Sequence, residues 1–219
     1  MRINKLVAYA SGLSRRKVDE LIRNGRILVN GQEVRIGQNI QHSDQVTLNG
    51  NLIKLEQSRT IMLNKPRGYV VSRRGQGSET VYNLLPRELS SLKPIGRLDK
   101  NSSGLLLLTN DGDLANKLTH PSFKKEKIYS IKTDRTLSQK DIDTINSGVE
   151  LSDGISHMSI SKLDNNEYKI VMYEGRNRQI RRTLNHLGYD VTKLHRVKFA
   201  NYSITDLQLG EYKEIRDKK

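Results

Sequence analysis

At 219 residues the chain can bury one or two cores, and 38 basic against 24 acidic side chains leave a formal charge of +14. Such an excess points to a polyanionic partner, held through phosphate contacts and counterion release. The absence of cysteine excludes a disulfide framework and thiolate chemistry, and the five scattered histidines have no zinc-ligand spacing.

In chain order, Ile3, Leu6, Val7 and Ala10 follow the i, i+3, i+4, i+7 pattern of a short helix that Gly12 stops. Ser14 is the expected N-cap of a second helix, with Leu13 and Val18 placed as a hydrophobic staple, although Lys17 stands where a capping box wants Glu or Gln. Val18, Leu21 and Ile22 form its inner face, and Gly25 takes the C′ position. "RILVNGQEV" and "VTLNGNLIKL" each set Asn-Gly between apolar runs, the strongest short-range hairpin signal. Arg15, Arg16 and Lys17 open the second helix, and Arg16 and Arg23 share a face, which favours nucleic acid over a merely solvated surface. "QSR" reads as a linker, with the boundary near residues 56–60; the expected domains are 1–58 and 59–219.

"SRTIMLNKPRGYVVS" predicts a strand, a Pro-Arg-Gly turn and a second strand. The run Leu105–Leu108 suits a fully buried strand, and Gly112-Asp113 lead into a helix bearing Leu114, Ala115 and Leu118 that His120-Pro121 ends. "EKIYSIKTD" sets Ile128, Ser130 and Lys132 against Tyr129 and Ile131, a strand with two distinct faces. Ser138 caps a helix with Ile142 and Ile145 inside and Gly148 at its end, and "NEYKIVMYE" is a further strand. In the helix of "RNRQIRRTLNHLG", Ile180, Leu184 and Leu187 share a face; Arg178, Arg182 and Asn185 lie opposite, with Arg181 on the flank. Strands and helices in mixed order, without regular βαβ units, predict an α+β fold with a largely antiparallel sheet flanked by helices.

No apolar run reaches 18 residues and Met1 leads straight into an amphipathic helix, so a cytoplasmic protein without a membrane partner is expected. No Walker lysine or G-x-G-x-x-G follows a strand, and no histidine is arranged to activate a serine. No nucleotide cofactor is expected. What stands out is Asp99, two residues after Arg97, at the mouth of the leucine strand. An Arg-x-Asp alone is ordinarily a turn or a structural ion pair.

The longer stretches say more. "SGLSRRKVDELIRNGRILVNGQEV" resembles the S-four domain, an RNA-binding module, over about a quarter of the chain. "GRLDKNSSGLLLLTNDG" resembles the catalytic motif of the ribosomal RNA pseudouridine synthases, in the branch of the RsuA and RluB enzymes. "LNKPRGYVVS", "HPS", "KIYSI" and "EGRNRQIRRTLNHLG" follow in family order; Ser102 stands where Thr is common, which keeps the hydroxyl. The resemblance implies an S-four module of two helices plus β-hairpins ahead of a synthase domain, and isomerisation of a ribosomal RNA uridine without cofactor or metal. It assigns Asp99 as nucleophile and Tyr129 as a platform for uracil that also helps remove the proton from carbon 5. Arg181 would pair with Asp99, Arg178 and Arg182 would contact phosphates, and Arg97 would fill the space left by a flipped base. Arg15, Arg16 and Lys17 would bind RNA, in ribosomal RNA or a pre-ribosomal particle, with the protein a monomer. The alternatives are a non-catalytic RNA-binding or ribosome-assembly factor on the same scaffold and a nucleoside hydrolase, which would leave the S-four arm unexplained.

Overall fold

The computed structural model describes residues 2–41, 43–53 and 58–215. Most of the expected linker therefore lies outside the described residues. Helices α1 (Ile3–Ser11) and α2 (Arg15–Arg23) pack on a small sheet of β1 (Ile27–Val29), β2 (Gln32–Glu33), β3 (Val46–Leu48) and β4 (Asn51–Leu52), in the order β2-β1-β3-β4. Helix α1 buries Ile3, Leu6, Val7 and Ala8, so Ala8 takes the inner place expected of Ala10. Gly12 ends it in the left-handed region, at φ 70. The Ser14 hydroxyl accepts from the Lys17 amide at 3.2 Å, and Gly25, at φ 63, follows the C-cap Asn24. Both Asn-Gly pairs, 30–31 and 49–50, have positive φ at both residues, the requirement of a type I′ two-residue hairpin. Val18, Ile22, Ile27, Val29 and Val46 close this first core with α1.

The rest of the chain builds on β5 (Thr60–Lys65), β6 (Lys93–Ile95), β7 (Ser103–Thr109) and α3 (Gly112–Thr119). Then come β8 (Lys127–Thr133), α4 (Gln139–Ser147), the hairpin β9 (Val149–Leu151) and β10 (Gly154–Ser156), β11 (Ser159–Asp164) and β12 (Glu167–Met172). Helix α5 (Gln179–His186), β13 (Val191–Phe199), β14 (Tyr202–Ser203) and β15 (Tyr212–Ile215) complete it. The large sheet runs β11-β12-β8-β13-β7-β5-β15, with β14 on β13 and β6 on β7. Strands β7 and β13 are parallel; the other strand pairs among the described residues are antiparallel.

The four leucines are buried because each face of β7 meets its own core. Leu106 and Leu108 join Ile61, Leu63 and Ile131, whereas Leu105 and Leu107 join Ile95, Leu118 and Phe199. Gly104 lets β7 approach β13: it has φ 108, and a Cβ there would lie 2.3 Å from the Arg196 carbonyl oxygen. The second strand expected in "YVVS" does not form; Val70 makes one isolated bridge, to Thr80. Strand β5 is already flanked by β7 and β15, so no free edge remains for a hairpin partner. Asp111 and Ser138 cap α3 and α4 through their side chains. Helix α5 begins only at Gln179, because Arg178 sits in the left-handed region at φ 48. Among the described residues no helix is long and apolar enough to cross a membrane.

Candidate active site

The segment from β6 to β7 is a tight loop whose backbone is tied down at nearly every step. Gly96 turns at φ 72, Leu98 is buried, and the Ser102 amide donates to the Asp99 carbonyl at 3.0 Å. The Gly68 amide donates to the Lys100 carbonyl at 2.8 Å. Beneath the loop lies Lys65, the last residue of β5, with no exposed surface. Its ammonium donates to the carbonyls of Pro66 (2.9 Å), Asp99 (3.1 Å) and Ser102 (2.7 Å). Burial pushes the Lys65 pKa down to about 8, against the opposing pull of the Asp99 charge. Sequence reasoning passed over Lys65; its inward position in a strand, directly before Pro66, is the one local signal.

The Asp99 side chain stays about one-third exposed, at 34%. Its ion-pair partner is Arg178, Nη1 to Oδ2 at 3.9 Å. The expected pairing with Arg181 is replaced by a different grip. Arg181 donates from Nη1 to the Val191 carbonyl (2.6 Å) and from Nη2 to the Asn101 carbonyl (2.9 Å), so it holds the loop and not the carboxylate. A guanidinium fork reaches two carbonyls on separate elements at once, and that grip fixes its orientation. Burial and the neighbouring Arg178 charge hold the Arg181 pKa below its usual value, while Asp99 acts in the opposite sense.

Arg182, expected at a phosphate, is engaged within the protein. Its guanidinium binds Asp153 bidentately, at 2.9 and 2.8 Å, which neutralises it against the β9–β10 turn. Arg176 grips the same turn through Asp153, Gly154 and Ile155. The arginine-rich segment thus contains two structural clamps, one loop holder and Arg178.

Tyr129 is buried on β8, and its hydroxyl makes no hydrogen bond among the described residues. With Arg97, Asp99, Arg178, Ile180 and Leu194 it lines a cavity of about 890 Å³, within the range that holds a nucleotide-sized group. Arg97 has no ion-pair partner among the described residues and faces both this cavity and a second groove lined by Arg73, Arg74 and Lys100. No group of three or more His, Cys, Asp or Glu among the described residues could hold a metal ion.

A carboxylate on a clamped loop thus shares one cavity with a tyrosine and arginines. Residues 59–186 match the model of the RNA pseudouridylate synthases, and residues 1–54 match the S4 domain, the S-four module. The chain belongs to the RNA pseudouridine synthase family. This synthase is 35% identical to the ribosomal large subunit pseudouridine synthase B of Bacillus subtilis, over 98% of its own chain and 91% of that protein. It is 33% identical to the dual-specificity RNA pseudouridine synthase RluF of Escherichia coli, over 99% and 76% of the two chains. A crystal structure of a pseudouridylate synthase aligns with a TM-score of 0.71 at 29% identity, covering 99% of this chain and 96% of that one. The enzyme is therefore an isomerase acting on RNA uridine, with an S4 domain ahead of an α+β synthase fold. In that S4 domain Arg15 bonds Asn4 at 3.0 Å, Lys17 pairs with Glu20 at 2.8 Å, and Arg16 is exposed with no ion-pair partner among the described residues. The exposed Lys17–Glu20 pair costs little to release to a phosphate.

Proposed function

We propose that the synthase isomerises a uridine of ribosomal RNA, free or in a pre-ribosomal particle, with Asp99 as nucleophile. The observation that carries this reading is the loop itself. Lys65, Arg181 and the Gly68 amide hold its carbonyls, and none of them engages the Asp99 carboxylate, which faces Arg178 at 3.9 Å in the cavity that Tyr129 also lines. A rigid base under a carboxylate that the loop's own bonds do not occupy is what aimed nucleophilic attack requires.

The steps balance without a cofactor. An Asp99 oxygen bonds the sugar carbon as the carbon–nitrogen glycosidic bond breaks. The uracil rotates, its carbon 5 displaces the carboxylate, carbon 5 loses its proton and the former glycosidic nitrogen gains one. Tyr129 supplies the stacking face and, through its unengaged hydroxyl, the relay for the carbon 5 proton. Arg178 lies beside the Asp99 carboxylate and orients it, and Arg181 is a positioning residue acting through the Asn101 carbonyl. Arg97 fills the stack vacated by the flipped uridine. Arg15, Arg16 and Lys17 bind the RNA backbone, with the domain boundary at residues 58/59. The enzyme works as a cytoplasmic monomer.

Mapping pseudouridine in ribosomal RNA after incubation with wild-type and Asp99→Ala protein tests the reading. The expected result is one or a few sites made only by the wild type. Modification by neither protein, or equally by both, would refute it.

A further inference from the structure

Strand β13 carries a charge that the steps above leave unused. Arg196 is only 2% exposed and stands opposite Tyr129 on β8 and opposite Gly104 on β7. It lines the same cavity as Asp99 and Tyr129. Its guanidinium is fixed: Nε donates to the Leu105 carbonyl at 2.8 Å, and the group lies 5.0 Å from the centre of the Phe199 ring. Nη2 is buried without a hydrogen-bond partner, and no carboxylate among the described residues pairs with Arg196. The charge is felt nearby: the Lys127 pKa is lowered, first by burial and then by Arg196. A buried cation without a counter-ion costs several kcal/mol, a cost that a role in the reaction would offset.

The chemistry supplies one. In the resting enzyme the negative charge sits on Asp99, beside Arg178. When Asp99 bonds the sugar, its charge is lost to the new ester, and the electron pair of the broken bond leaves on uracil, spread over its ring nitrogen and carbonyl oxygens. The charge therefore crosses the cavity, from the Arg178 side to the base against Tyr129. We infer that Arg196 is the fixed cation that stabilises this uracil anion, an interaction made as the bond breaks and absent in the ground state. The inference rests on the function proposed above. Because the charge acts through its field, the guanidinium need not hydrogen-bond the base.

The test compares RNA carrying uridine or 5-fluorouridine at the modified site, in single-turnover reactions read as loss of the original nucleoside after nuclease digestion. Fluorine makes the departing base a weaker base, less dependent on outside stabilisation. Arg196→Gln is expected to slow the uridine substrate by about 10²–10³-fold, the usual cost of losing such a stabilising group, and the fluorinated one at least tenfold less. Arg196→Lys, which keeps a cation and the carbonyl bond, should show the same inequality at a smaller loss and serves if the glutamine variant does not fold. Equal losses on both substrates would make Arg196 merely structural and overturn the inference, as would a wild-type rate in Arg196→Gln. A wild-type enzyme inactive on both RNAs would overturn the proposed function itself.

Discussion

Replacing Lys65 by methionine tests how the loop is held, and two opposing effects set its size. Three carbonyls, that of Ser102 buried and those of Pro66 and Asp99 partly buried, lose their donor; at about 1–3 kcal/mol for each unsatisfied group, the loss is at most about 3–9 kcal/mol. Against this, an ammonium whose pKa is pushed from 10.5 to about 8 is no longer buried, a relief of about 3 kcal/mol. The net destabilisation should be about 3 kcal/mol, measured by denaturant unfolding. The loss of turnover should be larger than folding explains, about 10²-fold in the folded fraction, because the Asp99 backbone is released by a fraction of an ångström to an ångström. In the wild type, stability and activity should part at alkaline pH. Between pH 8 and 10.5 the unfolded chain binds more protons at this lysine than the folded one, so its contribution to stability rises with pH. The neutral amine has only two N–H groups for three carbonyls, so turnover should fall as pH passes about 8. A Lys65→Met enzyme with wild-type stability and turnover, or a flat wild-type rate from pH 7 to 9.5, would refute the reasoning.

Gly104→Ala should destabilise by about 3 kcal/mol or more in thermal unfolding, since its methyl would meet the Arg196 backbone at 2.3–2.9 Å in a left-handed position. Tyr129→Phe should bind RNA normally and break the glycosidic bond, yet release tritium from carbon 5 of labelled uracil far more slowly than the wild type; release at the wild-type rate would leave the ring as a stacking platform only. Residues 1–58 carry nine basic and five acidic side chains. Deleting residues 1–58 should leave a folded catalytic domain whose log affinity against log salt is shallower, by somewhat less than one per lost phosphate contact.

What the sequence revealed was what short segments decide by themselves. The two Asn-Gly turns, the Ser14 and Ser138 caps and the Gly12 stop each depend on groups within a few residues. The two-sided burial of the leucine strand follows from an apolar run between turn residues. Strand β13 went unseen because Lys, His and Arg interrupt its apolar positions, and irregularities between Val191 and Lys193 and between Arg196 and Lys198 break the alternation. The arginines show the same limit more sharply. Arg181 and Arg182 are neighbours in one helix, yet Asn101 and Val191 claim the first while Asp153 claims the second. Such partners come from distant parts of the chain, so spacing alone could not sort loop holder from clamp. Asp99 was visible through its motif; the ammonium under its loop was not.

The central claim is that the Asp99 carboxylate attacks the substrate from a loop that other residues keep rigid. Asp99→Asn preserves the size of the side chain but removes the nucleophilic oxygen anion, and the loop's backbone bonds to Lys65 and Arg181 do not involve that side chain. Single-turnover pseudouridine formation on ribosomal RNA should therefore be abolished in this variant, with RNA affinity within a few-fold of wild type and an unchanged melting temperature. Substantial pseudouridine formation by Asp99→Asn would contradict the account.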